Sequence, residues 1–174
     1  LRTRNLLSPW PEEFNRQAVD VLAEYYFAPT YRSKQNLIDE GKPSEKIFVT
    51  GNTGIDALRT TVRDGYRNEH LDWAHGSRLI LITAHRRENL GEPMARMFRA
   101  IRRVMDEHPD VKAIYPIHMN PQVREVAERE LSGEDRIRII DPLEVVDFHN
   151  FIAASYLVLT DSGGIQEEAP SLGK

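Results

Sequence analysis

Short apolar runs alternate with amphipathic segments along the first sixty residues of the chain. Prolines and acidic residues typical of a first helical turn occur at Ser8–Glu13, and they predict a helix that begins there. The apolar runs predict strands at 25–30 and 46–50, with a helix at 30–41 between them and another from Ile55. This order of helices and strands is typical of a parallel sheet.

The regular pattern is interrupted between residues 60 and 77, where polar residues surround Gly65, Trp73 and Gly76. We interpret this segment as a linker or an exposed helix. It places a domain boundary near residue 70, so that residues 1–70 and 71–174 belong to different domains.

The alternation becomes regular again from residue 78 onwards. Four apolar runs predict strands, and each is followed by a segment with helical periodicity. The strands are predicted at 78–83, 111–117, 137–140 and 156–160, and the helices at 93–108, 121–131, 144–154 and after residue 164. Four successive βα units predict an α/β fold with a doubly wound parallel sheet.

The last strand passes through a glycine-rich turn, Asp161–Gly164, into a helix with acidic residues in its opening turns. Glycines leave backbone N–H groups uncovered, and the start of a helix adds further unpaired N–H groups, so a phosphate would fit there. Glu168, one turn later, could accept hydrogen bonds from a ribose diol. The same residues are also explained by an ordinary strand-to-helix turn, in which acidic side chains interact favourably with the positive end of the helix dipole.

Polar residues also follow the other predicted strands of the second half. They are His85–Asn89, His118–Pro121 and Asp141. Ligands of open parallel sheets bind beyond the carboxyl ends of the strands, so these residues and the glycine-rich turn are expected to line one rim. Each group also has a purely structural interpretation, as a solvated loop with an ion pair or as a helix cap.

Composition narrows the classes of function. A net charge of −4 and a pI near 5.9 argue against nucleic acid as a partner. Cysteine is absent, which excludes disulfides and thiolate metal sites and is compatible with the expected cytoplasmic location. No apolar run approaches the ~20 residues of a membrane span. His85, His118 and His149 lack metal-site spacing, so no metal is expected.

Several motifs resemble the non-hydrolysing UDP-N-acetylglucosamine 2-epimerases, in order and over the whole chain. They are Leu1–Thr3, Ser8–Glu13, Asn15–Arg16, Thr50–Thr53, His85–Asn89, His118–Pro121 and Thr160–Lys174. The resemblance implies a glycosyltransferase-B-type architecture, with two Rossmann-like domains facing each other across a cleft. Residues 1–70 would be the end of the N-terminal domain and the hinge, and residues 71–174 most of the nucleotide-binding domain.

The resemblance also implies a reaction without a cofactor. The family interconverts UDP-GlcNAc and UDP-ManNAc by eliminating UDP to leave a 2-acetamidoglucal, and then adds UDP back with C2 inverted. A UDP-sugar is the implied substrate, a homodimer the implied assembly, and polysaccharide biosynthesis the implied context.

Site residues are implied by the same resemblance. Glu12 would handle protons or bind the sugar, His85 would contact the diphosphate or assist catalysis, and Arg16 would line the same cleft. The implied nucleotide contacts are Ser162, Gly163 and Gly164 for phosphate, Glu168 for ribose, and the segment 141–148 with Phe148 for uracil. In some bacterial members a second UDP-GlcNAc activates the enzyme, at residues that match Arg86, His118 and Glu12.

The family's other two catalytic carboxylates and its Gly-Thr-Arg-Pro-Glu loop would lie upstream of Leu1. The chain also ends at Lys174, where another strand is expected. We therefore expect a fragment of a longer protein that is inactive by itself. Three alternatives stay open: a sugar-nucleotide transferase on the same fold, the hydrolysing epimerase that releases free ManNAc, and a UDP-sugar-binding module without catalysis.

Overall fold

The computed structural model describes residues 3–84 and 86–174. Contacts between residues divide the chain into two compact units, Leu1–Thr53 and Gly54–Lys174. Each unit has its own sheet.

The first unit contains the predicted alternation of helices and strands. Its elements are α1 (Glu12–Leu22), β1 (Tyr26–Ala28), α2 (Tyr31–Asp39) and β2 (Ile47–Val49). The two strands pair in parallel with Tyr26 opposite Ile47, and four buried side chains form a small core: Tyr26, Ala28, Leu37 and Ile47. The Thr30 hydroxyl caps α2 by accepting a hydrogen bond from the Ser33 amide at 3.1 Å.

A longer series of elements forms the second unit, after the helix α3 (Thr53–Thr61) that begins at the boundary. The elements that follow are α4 (Glu69–Ala74), β3 (Arg78–Thr83), α5 (Glu92–Glu107), β4 (Val111–Pro116), α6 (Pro121–Leu131), β5 (Ile137–Ile140), α7 (Val145–Ala154), β6 (Leu157–Thr160) and α8 (Ile165–Ser171). All four predicted βα units are therefore confirmed.

The four strands of the second unit form one parallel sheet in the order β5-β4-β3-β6. The chain moves outward from β3 through β4 to β5, and then returns to place β6 on the other side of β3. The strand order thus reverses between β3 and β6, which is where ligands bind in sheets of this type. The predicted doubly wound α/β arrangement is confirmed.

Side chains of β3 alternate between two hydrophobic clusters, as the two-residue period of a strand requires. Ile80 and Ile82 belong to the cluster that includes Phe98 of α5 and Val123 of α6. Leu79 and Leu81 belong to the cluster on the other face, together with residues of α4, α7 and α8. The sheet is covered on both faces, which explains the continuous apolar character of β3.

The polar segment between residues 60 and 77 belongs to the second unit and packs against its other elements. Tyr66 donates a hydrogen bond to Asp147 at 2.6 Å, and Trp73 lies against the cluster that contains Leu81. The contacts therefore change at residues 53 and 54, whereas the sequence places a boundary near residue 70. The assignment of these units to two domains of a larger protein stays a prediction. No helix among the described residues is both long and apolar enough to cross a bilayer.

Candidate functional site

The site is built where the strand order reverses. Thr83 at the end of β3 lies opposite Thr160 at the end of β6, and their hydroxyl oxygens are 2.6 Å apart. The Asp161 amide extends this pairing by donating to the Thr83 carbonyl at 3.2 Å. The loop after β3 and the turn after β6 consequently start side by side.

Asp161 joins these two segments. Its Oδ2 atom accepts hydrogen bonds from the Arg86 amide at 2.9 Å and from the Asn89 side chain at 3.0 Å. On the other side of residue 85, the Ala84 carbonyl accepts a hydrogen bond from the buried Tyr115 hydroxyl at 2.8 Å. Burial raises the pKa of Tyr115, so that this hydroxyl remains a donor. His85 itself, a predicted catalytic residue, lies outside the described residues.

The glycine-rich turn presents backbone donors. The Ser162 backbone N–H donates a hydrogen bond to the Thr160 hydroxyl oxygen at 2.9 Å. Among the described residues, by contrast, none accepts a hydrogen bond from the amides of Gly163, Gly164 or Ile165. Three consecutive unpaired N–H groups can bind an anion such as phosphate.

The two glycines are not required by backbone strain. Gly164 has φ −66° and ψ −46°, which any residue can adopt, and a Cβ built on it would meet no atom within 4 Å. A Cβ on Gly163 would lie 3.5 Å from a guanidinium nitrogen of Arg86, an ordinary contact. Without side chains at these two positions, the turn leaves space for a group to approach the backbone closely.

Arg86 brings a positive charge to this turn. Its guanidinium lies next to Gly163 and pairs with Glu88 at 3.1 Å. The Glu88 backbone N–H and the Arg86 guanidinium hold the pKa of Glu88 below its usual range. The cation and the unpaired amides together favour an anion at this place.

An apolar pocket of about 190 Å³ adjoins the turn. Its lining comes from the carboxyl ends of β3, β4 and β5 and from α7 and α8. The lining residues are Thr83, Ala84, Pro116, Ile117, His118, Pro142, Leu143, Phe148 and Ile165. The structure thus brings the predicted residues Phe148 and His118 to one cavity, together with Ile165, which directly follows Gly164.

The orientation of His118 is fixed by the start of the following helix. Its Nδ1 atom accepts a hydrogen bond from the backbone N–H of Asn120 at 3.1 Å, so the neutral ring carries its proton on Nε2. Asn120 in turn caps α6 by accepting from the Gln122 amide at 3.0 Å. The predicted helix cap and a pocket-lining histidine therefore belong to the same short segment.

Glu168 lies in the first turn of α8 and faces a buried histidine. Its Oε2 atom is 3.7 Å from Nε2 of His149, whose Nδ1 atom is 2.7 Å from the Thr61 hydroxyl. The Glu168 side chain keeps 22% of its surface exposed, whereas His149 keeps 8%. The carboxylate is thus accessible to a ligand on one side and supported from inside on the other.

The predicted residues of the first unit form a separate charged group. Glu12 is exposed, but Glu13 is buried and binds Arg16 through both carboxylate oxygens, at 2.5 and 3.1 Å. Arg16 also contacts Asp20 at 2.8 Å. Hydrogen bonds from Arg16 and Gln17 lower the pKa of Glu13 to about 2, so it is ionised at neutral pH. The roles of Glu12 and Arg16 in a reaction stay predictions.

The connecting contacts of Asp161, and the positions of Thr61 and His149 behind Glu168, could not be predicted from the sequence. Asp161 binds Arg86, which is 75 positions away, and Thr61 binds His149, which is 88 positions away. No local pattern encodes such pairs. The only available signal was the parallel sheet, which places the strand ends together.

The chain is similar to known UDP-N-acetylglucosamine 2-epimerases over its whole length. The family model described as UDP-N-acetylglucosamine 2-epimerase matches residues 1–174. A UDP-N-acetylglucosamine 2-epimerase of Bacillus subtilis is 59% identical over 100% of this chain and 46% of the relative. The corresponding Yersinia pestis protein is 48% identical over 100% of this chain and 49% of its own length. The chain therefore spans about half the length of these relatives.

Two solved structures extend the similarity to three dimensions. A co-structure of S. aureus MnaA with UDP has a TM-score of 0.92 and 56% identity, over 100% of this chain and 47% of that one. The UDP-GlcNAc 2-epimerase of Neisseria meningitidis bound to UDP-GlcNAc has a TM-score of 0.90 and 44% identity, over 100% of this chain and 49% of that one.

Proposed function

This chain belongs to the UDP-N-acetylglucosamine 2-epimerase family, and from that membership we propose that it is part of an enzyme that interconverts UDP-GlcNAc and UDP-ManNAc. The observation that carries the proposal is the family match over all 174 residues. The geometry at the ends of β3 and β6 supports it, because that place offers groups suited to each part of a uridine nucleotide.

The diphosphate is assigned to the glycine-rich turn. The amides of Gly163 and Gly164 and the Ser162 hydroxyl would donate hydrogen bonds to it, and Arg86 would add a positive charge beside Gly163. Uracil would occupy the neighbouring apolar pocket against Phe148. The pocket has a volume of about 190 Å³, which leaves room for one pyrimidine ring. Glu168 would accept hydrogen bonds from the ribose hydroxyls.

The proposed reaction is an elimination followed by an addition. A carboxylate base removes the proton from C2 while the C1–O bond breaks, which leaves a 2-acetamidoglucal and UDP. Re-addition of UDP and return of the proton on the opposite face invert C2. Glu12 is proposed to handle a proton or to bind the sugar, with Arg16 in the same cleft, and His85 to contact the diphosphate or assist catalysis. Donors at the glycine-rich turn would stabilise the departing diphosphate.

The remaining parts of the proposal rest on the family resemblance. They are a homodimeric assembly, a cytoplasmic location, a role in polysaccharide biosynthesis and a second UDP-GlcNAc site that involves Arg86, His118 and Glu12. Arg86 lies next to the glycine-rich turn, and His118 lines the apolar pocket. These positions are compatible with a contact to either the substrate or an activator.

Calorimetric titration of the folded chain with UDP tests the nucleotide site, with ADP as the control ligand and circular dichroism to verify folding. We expect UDP to bind selectively, and Glu168→Ala to weaken binding about tenfold or more. Glu167→Ala is the matched control, since Glu167 is the preceding, exposed acid of the same turn. Equal binding of UDP and ADP, or equal effects of the two substitutions, would contradict the proposed site.

Product analysis in D₂O tests the reaction with the enzyme that contains this chain. Deuterium at C2 of both UDP-sugars is expected for the epimerase. Accumulation of free ManNAc would indicate the hydrolysing relative, and transfer of the sugar to an acceptor would indicate a transferase. UDP-sugar binding without any exchange at C2 would indicate a binding module.

A further inference from the structure

A chain of polar groups with a buried histidine at its centre runs behind Glu168 and connects three helices. It starts at the Thr61 hydroxyl at the end of α3, passes through the His149 ring on α7 and ends at the Glu168 carboxylate on α8. His149 is only 6% exposed, although histidine is polar. A buried ring with a polar partner at each nitrogen is held in one orientation.

The Thr61 hydroxyl contacts two groups. Its oxygen lies 2.9 Å from the Ala57 carbonyl one turn earlier in α3 and 2.7 Å from Nδ1 of His149. Nε2, the other nitrogen of the His149 ring, is directed towards Oε2 of Glu168 at 3.7 Å.

The neighbouring residue fixes the frame in which this chain sits. The buried Asn150 side chain donates to the Thr61 carbonyl at 2.8 Å and accepts from the Arg63 amide at 2.9 Å. Thr61 is therefore bound twice to α7, by its backbone through Asn150 and by its side chain through His149. The His149 ring cannot turn without breaking its hydrogen bond to Thr61.

Glu168 benefits from this support because its own side chain is long and partly exposed. A free glutamate loses rotamer freedom when it binds a ligand, and this loss reduces affinity. A partner at Oε2 restricts the carboxylate before the ligand arrives and leaves Oε1 for a hydroxyl group. Support of this kind resembles the outer groups that orient metal ligands and bases in other sites.

We propose that His149, fixed by Thr61, is a positioning residue that holds the Glu168 carboxylate for the ribose diol. The inference rests on the proposed role of Glu168 in nucleotide binding. It adds a specific consequence: loss of His149 weakens only that part of the affinity that depends on the ribose hydroxyls.

The test compares UDP with 2′,3′-dideoxy-UDP, which lacks both hydroxyls, by calorimetric titration of the 174-residue chain. Wild-type chain is expected to bind UDP about tenfold or more tightly than the dideoxy ligand. His149→Phe keeps a ring and removes both nitrogens. We expect it to lower UDP affinity about tenfold while dideoxy-UDP affinity changes less than about twofold.

Thr61 supplies a milder pair of variants, should His149→Phe fail to fold by circular dichroism. Thr61→Val removes the hydroxyl and is expected to give the same selective loss, whereas Thr61→Ser retains the hydroxyl and is expected to behave as wild type. Equal losses for both ligands, or none, in the folded variants would overturn the role of His149. A wild-type chain that does not distinguish the two ligands would overturn the ribose assignment of Glu168 itself, and the inference with it.

Discussion

At the scale of single residues, the glycine-rich turn allows the proposed ligand binding to be tested separately from stability. Gly164 has an ordinary helical conformation, and a methyl group added to it would meet no atom of the protein within 4 Å. The same methyl group would occupy the space through which a phosphate would approach the amides in the proposed site. Gly164 therefore permits a sharp mutational test.

Gly164→Ala is expected to leave the melting temperature unchanged within about 2 °C. It should weaken UDP binding about tenfold or more, because the backbone can no longer contact the diphosphate closely. Gly133→Ala is the contrasting control, since Gly133 has φ +77° after α6 and alanine would be strained by about 1 kcal/mol. That variant should melt earlier and bind UDP normally once folded. A stability loss in Gly164→Ala without an affinity loss would contradict the assignment.

Adjacent acids at the start of α1 are expected to behave differently on acidification. Glu13 has its pKa lowered to about 2 from 4.5, chiefly by its hydrogen bond to Arg16. Its stabilising effect is therefore complete above about pH 4.5 and disappears as the pH falls towards 2. Urea unfolding followed by circular dichroism at pH 3 and pH 6 should show this loss.

Glu13→Gln should lower stability at pH 6 and reduce the difference between the two pH values, because it keeps the size of the side chain but not its charge. Glu12→Gln is the matched control and should leave both midpoints nearly unchanged, since Glu12 is exposed. If Glu12 has the proposed role in proton transfer, its loss will instead be visible in C2 exchange by the complete enzyme. Identical unfolding profiles for the two variants would argue against a special role of the Arg16 contact.

At the scale of elements, the start of α6 combines a helix cap with a histidine that lines the apolar pocket. The Asn120 side chain caps the helix by accepting a hydrogen bond from the Gln122 backbone N–H. The Asn120 backbone N–H donates to His118, which lines the apolar pocket. Asn120→Ala should reduce the free energy of unfolding by about 1 kcal/mol, and Asn120→Asp should retain most of it. Denaturant unfolding of the three proteins measures this difference. A loss in Asn120→Asp as large as in Asn120→Ala would show that the cap is not what stabilises this segment.

Elements and their order could be predicted from sequence because their signals are local. Asn120-Pro121 marks the start of α6, and the apolar run from Arg78 marks β3. The glycine-rich turn can be predicted for the same reason. The contacts of Asp161 and His149 cannot, because their partners lie 75 and 88 positions away in the sequence. The change of contacts at residues 53 and 54 also depends on tertiary packing, in which Tyr66 joins the second unit through Asp147.

At the scale of the whole molecule, the two units differ in their capacity to fold alone. The first unit has a two-stranded sheet and a core of four buried residues. The second has four strands covered on both faces by larger clusters. Two-stranded sheets are marginal by themselves, whereas a covered four-stranded sheet is not.

Residues 54–174 expressed alone are expected to unfold cooperatively on heating, and residues 1–53 alone are expected to show no cooperative transition. Circular dichroism and calorimetry of the two pieces measure this. The intact chain is the control, and its main transition should coincide with that of the larger piece within about 5 °C. A cooperative transition in the smaller piece would show that its short core suffices.

The position of β6 beside β3 has a consequence during synthesis on the ribosome. β6 pairs with residues of β3 that lie 77 positions earlier, so this edge of β3 stays unpaired while α5 to α7 are synthesised. An apolar strand with an open edge is a site for wrong pairing and aggregation. Closure of that edge also brings the glycine-rich turn beside Arg86 and Asn89, since Asp161 follows directly. The glycine-rich turn therefore takes its place in the same late step that covers this edge of β3, and a nucleotide bound at the proposed site would favour the paired strands.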